Sequence, residues 1–151
     1  MRGQATIEYL VLLSVAIIIG LVILTFMGFV PGLAGSLRER QSKMYWSSMW
    51  PLAIKDYKIT ETGATFLIEN TGSSKVIINS ITAGGDTGAV SPADYELKPN
   101  EAKTYTVTDI TCDTEGEIYE LDDVSITYDV VGGIQDQVEA GDRPLIGMCA
   151  S

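Results

Sequence analysis

The sequence predicts an α+β protein in which a long N-terminal hydrophobic α-helix is followed by an antiparallel β-sandwich. Three observations support this prediction. An apolar run near the N-terminus is too long for an ordinary core helix, the hydrophobic periodicity changes to two after Pro51, and the acidic residues are concentrated in the second part of the chain. We therefore expect a helix over residues 4–50 and a head domain over residues 51–151.

The apolar run extends from Tyr9 to Val30, and its 22 residues include only four that are not strongly apolar: Ser14, Gly20, Thr25 and Gly28. About 20 such residues are enough to cross a bilayer. The apolar core of a cleavable secretory signal has only about 7–15 residues. We therefore expect this segment to stay in the mature protein, and to be helical because a single segment can satisfy its backbone in lipid only as a helix.

The helical pattern continues beyond the bilayer length to Trp50, where the following proline, Pro51, disfavours helical geometry. Within this long helix the segment GFVPGLAG places Pro31 among three glycines. An interior proline removes a hydrogen bond and costs about 3 kcal/mol. We therefore expect a kink or a loosened turn around Pro31.

After Pro51 the chain contains short runs of β-branched and aromatic residues separated by turn signals. The runs are ATFLIENTG, SKVIINSIT, KTYTVTDI and DVSITYDVV, and the turn signals are NTGSS, AGGD, KPNE and VGGI. Strands at this spacing, with no helical segment among them, are typical of an antiparallel sandwich or a small barrel. We expect a sandwich of the Ig-like kind.

The acidic charge lies almost entirely in the predicted head. From Leu52 onwards there are 18 acidic and six basic residues, a net charge of −12. Such a surface repels phosphates, so we expect no binding to nucleic acid or to anionic lipid by the head. The acidity is typical of a soluble, self-repelling surface.

Two cysteines, Cys112 and Cys149, occur in the part of the chain that the apolar segment would place across the membrane. An even pair in an extracytoplasmic domain favours a disulfide over a metal site, a catalytic site or two free thiols. Closing a loop of this length stabilises a fold by about 3–4 kcal/mol in the chain-entropy model.

The chain offers little catalytic chemistry, because it contains no histidine. This excludes the histidine-dependent nucleophilic triads and the commonest metal ligand. The acidic stretch from Asp113 to Asp123 has oxygen ligands for calcium but lacks the calcium-loop pattern, so a solvated loop is favoured. No asparagine begins an N-glycosylation sequon. We expect no enzymatic activity, no cofactor and no metal, which leaves binding and assembly.

Glu8 stands at the edge of the apolar run, and two explanations are open. In the first, the carboxylate lies in the first helical turn and interacts favourably with the helix dipole, by about 0.3–1 kcal/mol. In the second, it lies inside an assembled bundle of helices, where a charge is costly unless a cation pairs with it. Such a cation would arise if the chain were cut just before Gln4.

The segment GQATIEYLVLL resembles the processing and assembly segment of archaeal type IV pilins with a class III signal peptide. In that family a short basic leader ends in glycine, and the mature chain has glutamine first, glutamate fifth and leucine ninth. The matching residues here are Gly3, Gln4, Glu8 and Leu12, and Thr6 stands where the family often has serine. The specific match covers about the first 30 residues. The segment RPLIGMC near the C-terminus is similar to the closing strand of such pilins.

The resemblance implies a leader over residues 1–3, cleavage after Gly3 by a prepilin peptidase, and assembly with copies of itself through the N-terminal helices. The subunit would move from the cell membrane into an extracellular adhesion filament with the help of the pilus assembly machinery. Archaeal flagellins share the processing, but their glycine-rich start is missing here. Glu8 would then pair with the amine of Gln4 in a neighbouring subunit. If Gln4 cyclises, Glu8 would instead be neutral or hydrogen-bonded to a group such as Thr6.

Two alternatives remain open. A monomeric, single-pass membrane-anchored sandwich domain would explain the hydrophobic segment but not the spacing of Gly3, Gln4 and Glu8. A minor or initiating pilin would share the processing. The basic residues Arg38, Arg40 and Lys43 follow the apolar run while only Arg2 precedes it, and this order favours a cytoplasmic head. We give the processing motif more weight, because the motif has no purpose on an intracellular head.

Overall fold

The structure is a computed structural model that describes residues 2–28 and 31–151. Two helices come first, α1 (Arg2–Gly28) and α2 (Pro31–Ser47), and ten strands follow. By their contacts, residues 1–34 and 35–151 form two compact units. The C-terminal part of α2 therefore belongs to the same unit as the strands, which we call the head unit (residues 35–151). This α+β layout, with an N-terminal apolar helix before antiparallel sheets, is the one that the sequence predicts.

Helix α2 begins at Pro31, where a proline is well tolerated because the first residue of a helix has no intrahelical use for its N–H group. The predicted kink around Pro31 involves residues 29 and 30, which lie outside the described residues. Met1, the first residue of the predicted leader, also lies outside them.

The strands of the head unit are short and pair in antiparallel fashion. They are β1 (Leu52–Thr60), β2 (Gly63–Asn70), β3 (Val76–Ala83), β4 (Asp86–Ala89), β5 (Glu96–Leu97), β6 (Ala102–Val107), β7 (Ile118–Leu121), β8 (Ser125–Val130), β9 (Gln137–Ala140) and β10 (Leu145–Met148). One sheet has the order β1-β2-β6, and a second has the order β4-β3-β8-β9 with β5 also paired to β3. Strands β7 and β10 form a separate two-stranded ribbon.

The four strands predicted from alternating runs are present as β2, β3, β6 and β8, and the four predicted turns lie between strands. The RPLIGMC segment contains β10, the last strand of the head unit. The sheets do not close into a complete sandwich, and the β7–β10 ribbon is an additional part that a simple sandwich lacks. The two larger sheets and the ribbon nevertheless share one hydrophobic core.

The core is formed by the inward-facing residues of every sheet together with one residue of α2. The largest fully buried side chains are Trp46, Tyr105, Phe66, Leu52, Ile54, Ile59, Ile68, Ile78, Ile81, Leu97, Ile110 and Ile126. Strand β2 alternates strictly between buried and half-buried residues, which is the pattern of a strand with one face on a core.

A buried polar network attaches α2 to the head unit. Ser42 Oγ donates a hydrogen bond to the Pro144 carbonyl (2.9 Å) and accepts one from the Ile146 N–H (3.2 Å). The Tyr57 hydroxyl donates to the Ile146 carbonyl (2.7 Å) and lies 2.9 Å from Ser42 Oγ. One helix residue therefore connects α2 to both β1 and β10.

Trp46, one turn after Ser42, fills the space beside this network. Its side chain is fully buried, and a Cβ atom added at Gly141 would overlap its indole ring. Lys43 adds two ion pairs, with Asp56 (3.0 Å) and with Glu39 (3.2 Å). Burial lowers the pKa of Lys43, but hydrogen bonds to these two carboxylates outweigh it and the net pKa is raised. The head end of α2 is thus an integral part of the core.

We predict that Tyr57→Phe lowers the free energy of unfolding by about 1–3 kcal/mol, because the Ile146 carbonyl loses its partner in a buried place. The matched control is Tyr95→Phe. Tyr95 also uses its hydroxyl, as a donor to Glu101 (2.8 Å), but it is only partly buried, so water can replace that bond. Urea unfolding of the detergent-solubilised full chain, followed by near-ultraviolet circular dichroism, measures both variants. Equal effects of the two substitutions would contradict the importance of the network.

Candidate functional site

The apolar surface of α1 is the most unusual feature of the chain. The segment Gly3–Leu24 is long and apolar enough to cross a membrane, and none of it is buried within the chain. Leu12 and Leu24, for example, keep 69% and 66% of their surface exposed. Apolar side chains are present on every side of this helix. A helix of this kind has to be covered on all sides by lipid or by other helices.

The residues predicted to act in assembly lie near the start of α1. Glu8 and Leu12 are four residues apart and so share one face of the helix, and both are exposed. Thr6 and Gln4 are exposed as well. Glu8 forms no ion pair with any side chain that the structure describes. Its charge is therefore available for a partner outside the described part of the chain.

The dipole explanation of Glu8 depends on where the helix begins. Because α1 begins at Arg2, its first turn contains no acidic residue, and Glu8 belongs to the second turn. The dipole effect is confined to the first turn of a helix. Cleavage after Gly3 would give a helix that begins at Gln4 and would bring Glu8 closer to its start, so both explanations of Glu8 stay predictions.

Further along α1, the hydroxyl of Ser14 donates a hydrogen bond to the Leu10 carbonyl (2.8 Å). A hydroxyl in apolar surroundings is costly unless it is hydrogen-bonded, and this bond within the helix satisfies it. Ser14 is therefore compatible with a fully apolar environment. A Cβ atom added at Gly3 or Gly20 would meet nothing within 4 Å, so packing within the chain does not require either glycine.

The two cysteines form the predicted disulfide. Cys112 and Cys149 are joined, with Cα atoms 5.7 Å apart, and together they close a loop with a sequence separation of 37 residues. The bond connects the segment before β7 to the end of β10. Hydrogen bonds from Cys149 N to the Glu117 carbonyl (2.8 Å) and from Gly116 N to the Cys149 carbonyl (2.9 Å) hold the same place together. The acidic loop 113–117 is thus fixed at both ends.

The acidic residues of this loop are exposed, as a solvated loop would have them. Within residues 2–28 and 31–151, no group of three or more potential ligands is arranged to hold a metal ion. The backbone N–H of Glu115 donates to the carboxylate of Glu61 (2.8 Å), which brings a further acid to the loop. The loop therefore presents several exposed carboxylates close together, and the disulfide and the backbone hydrogen bonds hold it in place.

Sequence reasoning missed one buried carboxylate, that of Glu139 in β9. Only 8% of the residue is exposed, and neither carboxylate oxygen has a hydrogen-bond partner among the described residues. Burial raises the pKa of Glu139 to about 7. The backbone N–H of Leu52 lowers this pKa in part, although it does not form a hydrogen bond with the carboxylate. The neighbouring Val138 is exposed instead. The segment QVEA thus has its apolar residue outside and its acid inside, and a hydrophobic pattern predicts the reverse.

A scan of protein-family models finds none that matches the sequence. A search of curated proteins finds no significant match either.

We predict that the free energy of unfolding falls as the pH rises from about 5 to about 8. The unfolded chain releases the Glu139 proton near its ordinary pKa of 4.5, whereas the folded chain keeps it up to about 7. The unfolded state therefore binds fewer protons in this range, and stability decreases by on the order of 2 kcal/mol. The chain has no histidine that would add its own dependence in this range.

Glu139→Gln should remove most of this pH dependence, because the amide stays neutral at both ends of the range. The exposed Glu115→Gln is the matched control and should keep the wild-type slope. Urea unfolding of the solubilised chain at several pH values measures both. A wild-type slope in Glu139→Gln would show that another group is responsible.

Proposed function

We propose that this protein is a pilin, the structural subunit of an archaeal type IV pilus-like filament that serves surface adhesion. A prepilin peptidase cuts the precursor after Gly3, and the pilus machinery assembles the mature chains through α1. The observation that carries this proposal is that no residue of the apolar segment Gly3–Leu24 is buried in the single chain. The filament core would replace lipid around α1 without exposing that surface to water.

The position of Glu8 supports assembly over simple anchoring. A membrane anchor gains nothing from a carboxylate in its second turn, because burying a charge in an apolar environment is costly. In a filament, the amine of Gln4 created by cleavage supplies the missing cation. If Gln4 cyclises, Glu8 takes up a proton or accepts a hydrogen bond, for example from Thr6. The intact mass of filament subunits distinguishes these two states, because cyclisation releases ammonia.

The head unit supports a location outside the cell. Its disulfide is typical of oxidising compartments, and its core, its network around Ser42 and its disulfide together form a stable body for the filament surface. Two of the three cations that follow the apolar run form ion pairs with other residues of the head unit. Arg38 pairs with Glu120 (2.7 Å), and Lys43 pairs with Asp56. These two cations thus have a structural use that is independent of the orientation in the membrane.

A membrane-anchored monomer remains the second candidate, because the apolar surface of α1 would serve it equally well. A minor or initiating pilin would be processed like a major one and would differ in its abundance within isolated filaments. The residue at the N-terminus of the surface protein separates the anchored monomer from both kinds of pilin.

We predict that the mature surface protein begins at Gln4 and that Gly3→Leu leaves an unprocessed precursor in the membrane. The bulky side chain would block the peptidase, while packing within the chain tolerates it, because the space around Gly3 is open. Gly20→Leu is the matched control, since its surroundings are equally open and it lies far from the cut. N-terminal sequencing and fractionation of membrane and extracellular material give the result. Normal filaments that retain Met1 would overturn the proposal.

A further inference from the structure

A cleft in the head unit brings together two arginines that are distant in the sequence. It has a volume of about 290 Å³ and lies between α2, the β7–β10 ribbon and the segment before β10. Arg38 and Arg143 line it together with Gln41, and Pro144 and Ile146 contribute apolar surface. The cleft therefore combines cationic donors with an apolar floor.

The positive charge of the cleft is only partly neutralised. Arg38 forms an ion pair with Glu120, at 2.7 Å, and keeps further N–H donors in its guanidinium group. Arg143 forms no ion pair within the described part of the chain, and its guanidinium lies 5.5 Å from the centre of the Tyr45 ring. One unpaired cation thus faces a cavity in a chain whose net charge is −10. A guanidinium group is suited to bidentate binding of a carboxylate.

The complementary surface is the acidic loop 113–117. Asp113, Glu115, Glu117 and the adjacent Glu61 are exposed, and none of them forms an ion pair with a described residue. The disulfide and the hydrogen bonds around Cys149 hold the loop in place. Because the loop is already ordered, it loses little conformational entropy when it binds.

The loop also has apolar residues beside it. Ile118 and Met148 are paired across the ribbon next to the loop, and both stay about half exposed. Their apolar surface complements that of the half-buried Pro144 in the cleft, while Ile146, which also lines the cleft, is only 8% exposed. The loop thus matches the cleft in both charge and polarity.

None of the loop carboxylates forms an ion pair with Arg38 or Arg143 of its own chain in the structure. Strand β7 is held extended by its pairing with β10, and it separates Glu117 from Glu120 of the cleft by about 10 Å. A contact between two different parts of one surface joins copies head to tail, and it produces a ring if the rotation between copies closes and an open helical filament if it does not. Such a contact is the kind that a filament requires between its subunits.

We infer that the Arg38–Arg143 cleft of each subunit binds the acidic loop 113–117 of a neighbouring copy. This inference rests on the proposed function, because it assigns a contact between subunits of the same filament. The interaction is electrostatic at its rim, so it also predicts that filaments dissociate more readily at high salt.

The test uses full-length chains with opposite charge reversals. Arg143→Glu replaces the unpaired cation of the cleft with an anion. The double variant Glu115→Lys with Glu117→Lys reverses the charge of two loop residues. Neither change removes a loop hydrogen bond, because Glu115 and Glu117 use backbone atoms for those bonds. We expect each change alone to reduce the filament yield by about tenfold or more. Arg40→Glu is the matched control, because this exposed arginine does not line the cleft and should assemble normally.

Co-expression of the two defective chains should restore filaments. The glutamate of one cleft then meets the lysines of the other loop, while the wild-type cleft of the second chain meets the wild-type loop of the first. A folding defect in either chain would not be repaired by mixing. A yield of Arg143→Glu equal to that of Arg40→Glu, or no recovery on mixing, would overturn this inference and leave the proposed function intact. A wild-type chain that never leaves the membrane would overturn both.

Discussion

The structure depends on one constraint, which is that the apolar surface of α1 cannot remain in water. No residue of Gly3–Leu24 is buried within the chain, so an environment outside the chain has to cover its apolar surface. Lipid and neighbouring helices can both do this, and a subunit that exchanges one for the other never exposes that surface. Glu8 is the only charged residue between Gly3 and Leu24, and a charge at this place is useful only where a partner meets it.

In the proposed filament the head unit has the opposite requirement, since it has to keep a fixed shape while α1 exchanges lipid for other helices. Ser42 and Trp46 bind the end of α2 to β1 and β10, and the disulfide closes the other end of the β7–β10 ribbon. The ribbon is thus held at both ends. It carries the acidic loop at one end and contributes Glu120 and Ile146 to the cationic cleft. The same parts that stabilise the head unit therefore position both surfaces of the proposed contact.

The sequence predicts local features of this fold better than those that depend on distant residues. Strands β2, β6 and β8 are recognisable because inward and outward residues alternate along them, and β3 is recognisable from its β-branched residues although a bulge at Asn79 shifts its alternation. Strand β1 is less clear, because a bulge at Lys55 shifts its alternation as well. Strand β9 is misleading, because its valine is exposed and its glutamate is buried. The disulfide was predictable because the chain contains only two cysteines.

The sites were less predictable than the strands. The Ser42 network joins groups about a hundred residues apart, and the cleft joins Arg38 to Arg143 across a similar distance. Periodicity carries no information about such pairs, since they depend on how the sheets pack. Glu8, by contrast, could be identified from the sequence because a single carboxylate in a long apolar run is unusual.

The most direct test of the central claim measures whether α1 is covered by other helices outside the membrane. Single cysteines at Val11, Leu12 and Leu13 sample three directions around the helix, and the described part of the chain has no free thiol to interfere. In sheared, membrane-free filaments, all three should resist a water-soluble thiol reagent, while a cysteine at the exposed Ser73 of the head unit reacts. Reaction at all three α1 positions, or recovery of the chain only in the membrane fraction, would contradict the account.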